Sequence, residues 1–479
     1  MFSMAAHADV HAFSWFIRRI LKRHFFTKKK VPQHLSFRNA NFGIALDVDG
    51  VFTRGPLVLP DALRASELLH EERGNWRVPV LFLTNAANVS KETKADELSS
   101  ILKRKIAMPH SALRIHSIFD KHVAVCGHGP LEAIAKSIGF KKFSTIENIS
   151  AAFPWSDACR PKEVLHSDTI MNADLGKIEA IVLLGEPERW EQSLQIILDL
   201  LIQNGDLNNA FKENLSKSPS PQLPIFVCGS DLVWASNAPS PRIAMGCFLC
   251  CLDILYEKLT GRHLTYAGLL GKPNPLAYTF ALSQLNAIAA TQFGATRPLK
   301  RIYCIGDNPE VDIYGANLFN LFLQTISDET WSSLFQVVNT LLQEEHPCLF
   351  PNPSTTICER PEILSEKEEV KWSSLIRRSG NMLEILRELV KQKPKRPSPC
   401  TMEPVLVTTG VYQEHNGVPD EWKGLHHALQ DFPDLSHLYE PRFIAPNVAE
   451  AVASILSLEG VLSGSESASI SASAKGDLN

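Results

Sequence analysis

Three short stretches of the chain are apolar on both faces, and each ends in polar residues. They run from Phe42 to Leu46, from Val78 to Leu83 and from Arg301 to Gly306. Continuous apolar runs of this length are typical of strands in a parallel sheet that is covered on both faces. Ligands bind at the carboxyl edge of such a sheet. We therefore expect the polar residues after the three strands to meet at one edge.

Segments with helical periodicity separate these strands and extend to the C-terminal part of the chain. The pattern predicts helices at 61–72, 91–103, 131–138, 190–203, 276–289 and 448–458, and further strands at 123–126, 178–184 and 404–409. The alternation of strands and helices predicts an α/β fold with a Rossmann-like parallel-sheet core. The strands at 123–126 and 178–184 belong to a second α/β unit that is inserted after the second core strand.

Domain boundaries follow from these patterns and from changes in composition. Regular alternation weakens between residues 323 and 403, where one helix is predicted at 373–390 and a basic, proline-rich linker at 391–399. The Ser- and Ala-rich end of the chain is typical of disorder. The predicted organisation is a targeting segment at 1–38, core parts at 39–109, 236–325 and 404–460, an inserted cap at 110–235, an insertion at 326–403 and a disordered tail at 461–479.

The first forty residues differ in charge from the rest of the chain. They carry eight Lys and Arg against a single acid, Asp9, and apolar residues recur among them at helical spacing. This composition resembles a mitochondrial transit peptide, with a disordered basic tail or an uncleaved signal anchor as alternatives. The predicted location is the mitochondrion, and specifically the matrix, with the cytoplasm as the alternative. The apolar part is too short and too basic to span a bilayer.

Composition and cysteine spacing narrow the class of protein. Hydrophobic residues make up 44% of the chain and the net charge is -4, which argues against nucleic acid as the partner. Cys247 and Cys250 form a C-x-x-C, but no second Cys or His pair follows at zinc spacing. We therefore interpret these thiols as part of a buried helix. No transmembrane segment is predicted.

The first strand delivers two carboxylates into a glycine turn. Asp47 and Asp49 point the same way on an extended chain, and Gly50 allows the chain to turn beside them. A calcium loop would need ligands where the chain has Val51 and Val58, so we reject it. Grouped acids repel one another unless a divalent cation lies among them, and oxygen ligands with room for water and phosphate favour Mg²⁺.

Phosphoryl transfer is a reaction that would use these two carboxylates together with the polar residues after the second strand. Asp47 would attack phosphorus, and Asp49 would protonate the leaving alcohol and then accept a proton from water. Thr84 and Asn85 can donate hydrogen bonds to phosphoryl oxygens.

Three further residues complete this predicted site. Lys272, in a Gly-Lys-Pro loop, would offset the negative charge of the ester. Asp307 would bind the metal. Asp312 would join the metal through water or orient Lys272, although capping the helix that begins near it is an alternative.

Four motifs carry a resemblance to a known family. D-V-D-G-V at 47–51, L-T-N at 83–85, G-K-P at 271–273 and G-D-N-x-x-x-D at 306–312 are, in this order, similar to those of the haloacid dehalogenase-like hydrolases. The inserted unit resembles the cap of the NagD-like subgroup. The resemblance implies Asp47 as nucleophile and Mg²⁺ ligand, Asp49 as acid/base with its backbone carbonyl on the metal, Thr84 and Lys272 as phosphate contacts, and Asp307 as a metal ligand.

One motif departs from the subgroup pattern, and two functions stay open. Cys228-Gly-Ser-Asp231 stands where NagD-like relatives carry Asn-Pro-Asp, so substrate contacts of this loop do not carry over. The predicted enzyme is a Mg²⁺-dependent phosphatase of a small phosphorylated metabolite. The alternative is a catalytically weak fold that acts as a binding protein in mitochondrial metabolism, including glycerophospholipid metabolism. Relatives with this cap often pair, so a homodimer is also an open prediction.

Overall fold

The computed structural model describes residues 41–71, 74–86, 106–116, 118–157, 175–209, 221–326, 328–345, 400–412 and 435–462. Several predicted segments lie outside these residues and stay predictions. They are the targeting segment at 1–38, the helices at 91–103 and 373–390, the basic linker at 391–399 and nearly all of the C-terminal tail.

The larger sheet has six strands, and every pair of neighbours is parallel. Its spatial order is β15-β14-β13-β1-β4-β5. The strands are β1 (Phe42–Leu46), β4 (Val80–Leu83), β5 (Ile106–Ala107), β13 (Arg301–Gly306), β14 (Thr401–Val407) and β15 (Phe443–Ala445). Two short strands, β2 (Thr53–Arg54) and β3 (Leu57–Val58), form an antiparallel hairpin just after β1. The apolar runs that the sequence analysis identified thus lie at the centre of the sheet.

A second parallel sheet contains five strands in the order β12-β9-β8-β6-β7. They are β6 (His122–Cys126), β7 (Lys142–Thr145), β8 (Ala180–Leu183), β9 (Ile225–Val227) and β12 (Gly268–Leu269). A hairpin of β10 (Val233–Trp234) and β11 (Arg242–Ile243) follows β9. The predicted core part at 236–325 includes the segment near Gly268, but β12 pairs with β9 in this second sheet. The predicted α/β class with an inserted second unit is confirmed.

Helices connect the strands of both sheets. They are α1 (Pro60–Leu69), α2 (Leu131–Ile138), α3 (Ile146–Ala152), α4 (Trp190–Ile202), α5 (Met245–Thr260), α6 (Pro275–Phe293), α7 (Tyr314–Thr325), α8 (Asp328–Glu345) and α9 (Val448–Leu458). Shorter 3₁₀ turns lie at Pro109–Ile115, Pro154–Ser156, Leu207–Asn209 and Ser436–Tyr439, and Pro309–Ile313 forms one π-helical turn. Among the described residues, α3 and α8 are helices that the sequence pattern did not predict.

Helix α6 is buried almost all round its circumference, which explains why its sequence lacks a polar face. It begins with Asn274, whose side-chain oxygen accepts a hydrogen bond from the Leu276 N–H, and continues with Pro275 at a position that needs no donor. It ends at Gly294, which has a left-handed backbone. The loop between β12 and α6 contains Lys272 and is called the lysine loop. It is therefore anchored to a rigid, buried helix.

The thiols of the C-x-x-C lie on α5, as the sequence analysis predicted. Cys247 and Cys250 are half-buried and Cys251 is exposed, so the helix is less deeply buried than expected. Within the described ranges, no helix is both long enough and apolar enough to cross a membrane.

The stability of the second sheet should depend on pH through His116. Its ring lies 4.7 Å from the ring of Phe226, and burial lowers the pKa of His116 to about 4. The unfolded chain, with an ordinary pKa, takes up the proton first, so stability is present above pH 6.5 and is lost as the pH falls towards 4. For this partly exposed ring we expect a loss of about 1–2 kcal/mol between pH 7 and pH 5.

Chemical denaturation at both pH values measures this loss in the wild type and in His116→Phe, which should lose less stability on acidification. His263→Phe is the matched control, because the His263 side chain is 70% exposed. Equal pH dependence of wild type and His116→Phe would contradict the prediction.

Candidate active site

The polar residues after three neighbouring strands meet at one edge of the larger sheet. Asp47 follows β1, Thr84 follows β4 and Asp307 follows β13, and β1 pairs directly with both other strands. Thr84 and Asp307 are each only 2% exposed. The Thr84 hydroxyl accepts a hydrogen bond from the Ala86 N–H at 3.1 Å. The edge is thus a buried, polar site, located where the apolar runs of the sequence predict it.

Lys272 reaches this edge from the loop between β12 and α6. Its ammonium nitrogen lies 2.7 Å from Oδ1 of Asp47 and 2.6 Å from Oδ1 of Asp312. The side chains of the three residues are only 4%, 12% and 6% exposed, in the order Lys272, Asp47, Asp312. One lysine therefore neutralises part of the charge of two carboxylates in a site that is largely closed to solvent.

Asp47, Asp307 and Asp312 form a compact group of carboxylates. One oxygen from each lies within 4.8 Å of the others, and no other group of three His, Cys, Asp or Glu in the described ranges converges in this way. The group carries three negative charges if fully ionised, and Lys272 supplies one positive charge. The oxygen donors and the excess negative charge fit a divalent cation.

The pKa values of these groups reflect the crowding. Burial, and beyond it the charge of Asp312, raises the pKa of Asp47 to about 8, although Lys272 opposes the rise. Burial and the charges of Asp47 and Asp312 hold the pKa of Asp307 well above its usual range. Burial alone would lower the pKa of Lys272, but Asp312 and Asp47 raise it, so this lysine stays charged. A cation among the carboxylates would favour their ionised forms.

Asp307 is held in place by the loop that follows β14. The Val411 N–H donates to Oδ2 of Asp307 at 2.7 Å, and the Tyr412 N–H donates to its backbone carbonyl at 3.0 Å. A side chain at Gly50 or Gly410 would overlap the carboxylate of Asp307, and Gly50 has a φ of 86°. Glycine is therefore needed on both sides of this carboxylate.

The same loop is tied to the hairpin of β2 and β3. The Thr409 hydroxyl donates to the Gly50 carbonyl at 2.6 Å, and Nε of Arg54 donates to the Thr409 carbonyl at 2.8 Å. These bonds join the turn after the first strand to a residue more than 350 positions later in the chain. Sequence reasoning missed this loop, because the contacts to Asp307 come from backbone groups.

Asp312 lies in the π-helical turn that follows β13. Its Oδ2 accepts the Asn308 N–H at 3.1 Å, while its Oδ1 contacts Lys272. A side chain at Gly306 would overlap the Asp312 carboxylate, so this glycine makes room for it. The contact with Lys272 is consistent with the orienting role, and the metal contact through water stays a prediction.

Asp49 is half-buried and lies beside the carboxylate group rather than within it. Its Oδ1 accepts a hydrogen bond from the Thr53 hydroxyl at 3.3 Å. It is close enough to Asp47 for its charge to contribute to the raised pKa of that residue, as the smallest of the causes. The acid/base role and the metal contact of Asp49 stay predictions.

Among the described contacts, Asn85 is the predicted site residue whose side chain makes the most hydrogen bonds. Its Nδ2 donates to both carboxylate oxygens of Asp231, at 3.0 and 3.1 Å, and to the Lys272 carbonyl at 2.9 Å. Its Oδ1 accepts the Lys272 N–H at 2.8 Å. Burial raises the pKa of Asp231 to about 7, against the lowering effect of Lys272. Sequence analysis singled out Asp231 only as a departure from a motif and did not predict this contact.

Two family models match the segments that form this site. A model described as haloacid dehalogenase-like hydrolase matches residues 44–141, and a second model of haloacid dehalogenase-like hydrolases matches residues 269–324. The first segment contains Asp47, Asp49 and Thr84, and the second contains Lys272 and Asp307. The predicted resemblance and the predicted class of enzyme, a hydrolase, are confirmed.

Two curated relatives are yeast proteins. The chain is 29% identical over 317 residues to a cardiolipin synthase and mitochondrial hydrolase fusion protein of Schizosaccharomyces pombe, with 64% of this chain and 51% of the relative covered. It is 27% identical over 302 residues to a mitochondrial hydrolase of Saccharomyces cerevisiae, with 57% of this chain and 83% of the relative covered. The chain therefore spans about half the length of the fusion protein.

Among solved structures, one similar chain is a p-nitrophenyl phosphatase from Archaeoglobus fulgidus. It is 12% identical, the match covers 87% of this chain and 99% of that chain, and the TM-score is 0.39.

Proposed function

From the membership of this chain in the haloacid dehalogenase-like hydrolases, we propose that it is a Mg²⁺-dependent phosphatase that hydrolyses a small phosphate monoester. One observation carries the proposal. Lys272 lies within hydrogen-bond distance of both Asp47 and Asp312, and Asp307 completes a carboxylate group within 4.8 Å. A site with a buried cation and several carboxylates suits a dianionic phosphoryl group held together with a metal.

The divalent cation would be held by the carboxylates of Asp47 and Asp307 and the backbone carbonyl of Asp49, with Asp312 contributing through water. When bound, Mg²⁺ would offset the repulsion between the anionic nucleophile and the anionic ester. Lys272 would offset it from the other side. The residues present fit the metal, because three buried carboxylates with one lysine leave an excess of negative charge.

In the first step, an Asp47 oxygen forms a bond to phosphorus while the bond to the leaving oxygen breaks. The carboxyl group of Asp49 gives its proton to the leaving oxygen, so the alcohol departs neutral and Asp49 becomes a carboxylate. The product on the chain is an aspartyl phosphate at Asp47. Thr84 donates a hydrogen bond to the transferring group.

In the second step, water attacks phosphorus and Asp49 accepts its proton. The bond between phosphorus and Asp47 breaks, inorganic phosphate leaves and both aspartates return to their starting state. Asp49 thus serves as acid and then as base, which requires that it stay close to Asp47 without sharing its ion pair with Lys272. Its place beside the carboxylate group supports this assignment.

The names of the relatives support a location and a substrate class. Both yeast relatives are named as mitochondrial hydrolases, and we propose the mitochondrion, and within it the matrix, for this chain as well. The Schizosaccharomyces pombe relative joins its hydrolase to a cardiolipin synthase. This fusion supports a small phosphorylated intermediate of phospholipid metabolism as substrate. A homodimer stays a prediction.

Metal removal tests the proposal directly. We expect the full chain to release phosphate from an aryl phosphate in millimolar Mg²⁺, and a chelator to lower the rate by at least about 100-fold, because the metal supplies several kcal/mol of charge stabilisation. Added Mg²⁺ should restore the rate and also raise the thermal unfolding midpoint, since it binds the folded carboxylate group. Phosphate release is measured colorimetrically and unfolding by scanning calorimetry.

The aryl phosphate assay is followed by a panel of phosphorylated metabolites that includes glycerol phosphates. Turnover that persists unchanged in chelator would contradict the metal dependence. Absence of turnover on the aryl ester and on the whole panel would contradict the phosphatase itself.

A further inference from the structure

The side chain of Asn85 connects three separate parts of the chain. Its amide hydrogens are shared between Asp231, in the loop after β9, and the carbonyl of Lys272, and its oxygen accepts the Lys272 N–H. Each hydrogen-bonding atom of the amide is used, and exchanging nitrogen and oxygen would break every one of these bonds. The orientation of Asn85 is therefore fixed by its partners.

The side chain of Asn85 therefore binds both polar groups of the Lys272 backbone, the N–H and the carbonyl. The N–H and the carbonyl of Lys272 contact Oδ1 and Nδ2 of Asn85 at 2.8 and 2.9 Å. From this position the ammonium group reaches Asp47 and Asp312. Small displacements of a group that contacts the reacting atoms change rates strongly, so the backbone position of Lys272 matters for the chemistry.

Asp231 is the only carboxylate that anchors Asn85 among the described contacts. Both of its oxygens accept from Nδ2 of Asn85, and when Asp231 is ionised this bond is stronger than a bond between neutral amides. The Asp231 loop is itself fixed, because its carbonyl accepts the Gly246 N–H at 2.8 Å and a side chain at Gly246 would overlap it. The position of Asp231 is thus fixed by the first turn of helix α5.

The packing around Asn85 leaves no room for a side chain at Gly271. A side chain at Gly271, just before Lys272, would come within 2.6 Å of Oδ1 of Asn85, whereas one at Gly229 would lie at an ordinary contact distance of 3.4 Å from its backbone carbonyl. Both glycines belong to loops that follow strands of the second sheet. Asn85 is therefore enclosed between the Asp231 loop and the lysine loop.

We propose that Asp231 is a positioning residue, which fixes the amide of Asn85 and through it the backbone of Lys272, so that the ammonium group stays between Asp47 and Asp312. This inference rests on the proposed phosphatase function and extends it to a residue in the inserted unit. It assigns Asp231 no contact with the substrate. It also assigns the side chain of Asn85 to holding Lys272.

A double-mutant cycle tests the proposal. Asp231→Ala and Asn85→Ala should each lower kcat for the aryl phosphate about 10- to 100-fold, as is usual when a residue that orients a site ligand is removed. The double variant should lose no more than the more affected single variant, because both changes break the same chain of contacts. Asp231→Asn, whose amide oxygen can still accept from Asn85, should stay within about threefold of wild type.

Comparison of two substrates separates positioning from substrate binding. The loss in Asp231→Ala should be the same factor for an aryl phosphate and for glycerol phosphate, since Lys272 faces the phosphoryl group that both share. Asp253→Asn is the matched control, because Asp253 also accepts a side-chain hydrogen bond, from Tyr266 at 2.5 Å, and should leave both rates unchanged. Independent losses in the double variant, or a loss that depends on the leaving group, would overturn the proposal.

A second experiment, which measures phosphate binding, distinguishes failure of this inference from failure of the proposed function. If the wild type turns over no ester, the phosphatase proposal fails, and binding of inorganic phosphate in Mg²⁺ is then measured by titration calorimetry. Equal weakening in both single variants and the double variant supports the positioning role. Unchanged phosphate affinity in Asp231→Ala overturns it, and the unfolding midpoints of all variants show that they are folded.

Discussion

Asp47→Asn should lower kcat by at least about 10³- to 10⁵-fold, a loss typical of removing a nucleophile from a cooperating set of groups. The amide that replaces the carboxylate cannot form the acyl phosphate, yet its size is nearly the same. Asp47 lies 2.7 Å from Lys272 and one of its oxygens lies within 4.8 Å of Asp307 and Asp312. Asp312 shares these contacts, but its second oxygen accepts the Asn308 N–H, so both of its oxygens have donors. Phosphate release in saturating Mg²⁺ measures the loss.

A second readout of the same variant does not depend on turnover. The raised pKa of Asp47, about 8, means that the folded state holds a proton that the unfolded chain releases near pH 4. Without metal, the contribution of Asp47 to stability should therefore fall as the pH rises from about 4 to about 8, and the difference in the free energy of unfolding between the wild type and Asp47→Asn should fall over the same range. Chemical denaturation in chelator at several pH values tests this sign.

Asp120→Asn is the control for both readouts, because the Asp120 side chain is 80% exposed and lies outside the site. Turnover by Asp47→Asn close to that of Asp120→Asn would contradict the assignment of the nucleophile. A difference in the free energy of unfolding between metal-free wild type and Asp47→Asn that rises with pH between pH 4 and 8 would contradict the burial argument.

Lys272→Met should combine loss of activity with a large loss of stability. The substitution leaves Asp47 and Asp312 buried without their shared cation, and breaking a buried ion pair from one side costs about 3–5 kcal/mol. We expect a decrease of this order in the free energy of unfolding in chelator at pH 8, measured by denaturant titration. The decrease should be smaller at pH 5, where the carboxylates take up protons.

Lys141→Met provides the matched comparison. Lys141 also pairs with a carboxylate, that of Asp120, at 2.5 Å, but the two side chains are 74% and 80% exposed. Exposed pairs contribute about 0–1 kcal/mol, so this variant should keep nearly all of its stability and activity. Equal destabilisation by the two methionine substitutions would show that burial of the Lys272 pair is not the cause.

The sequence predicted those parts of the site that follow directly from strand ends. Asp47 and Asp307 each stand after an apolar run, and a parallel sheet brings such positions together whatever the rest of the chain does. Lys272 was predicted from its Gly-Lys-Pro setting, and the structure places it between Asp47 and Asp312. Residue type and spacing were therefore sufficient to predict these three site residues.

Contacts that link distant loops could not be predicted in the same way. Asn85 and Asp231 are 146 residues apart, and neither spacing nor composition indicates that they meet. The Val411 N–H that holds Asp307 is a backbone group, which every residue except proline carries. Such contacts depend on how two sheets and several loops are arranged in space.

Helix α8 is a different kind of omission, since a signal for it was present. Leu334, Val338 and Leu342 recur at intervals of four and are at most 2% exposed, while Trp331 and Phe335 pack beside them. This is the stripe of an amphipathic helix. The weak alternation of strands and helices between residues 323 and 403 favours an irregular insertion, and this conceals the stripe.

The order of the strands along the chain determines when the candidate site can form during translation. The ribosome releases Asp47 first and Asp307 some 260 residues later, but the N–H that holds Asp307 belongs to Val411, beyond strand β14. A nascent chain that has emerged only as far as α7 would contain every predicted site residue and still lack this bond. The candidate site would therefore be completed only after strand β14 and the loop that follows it have been made.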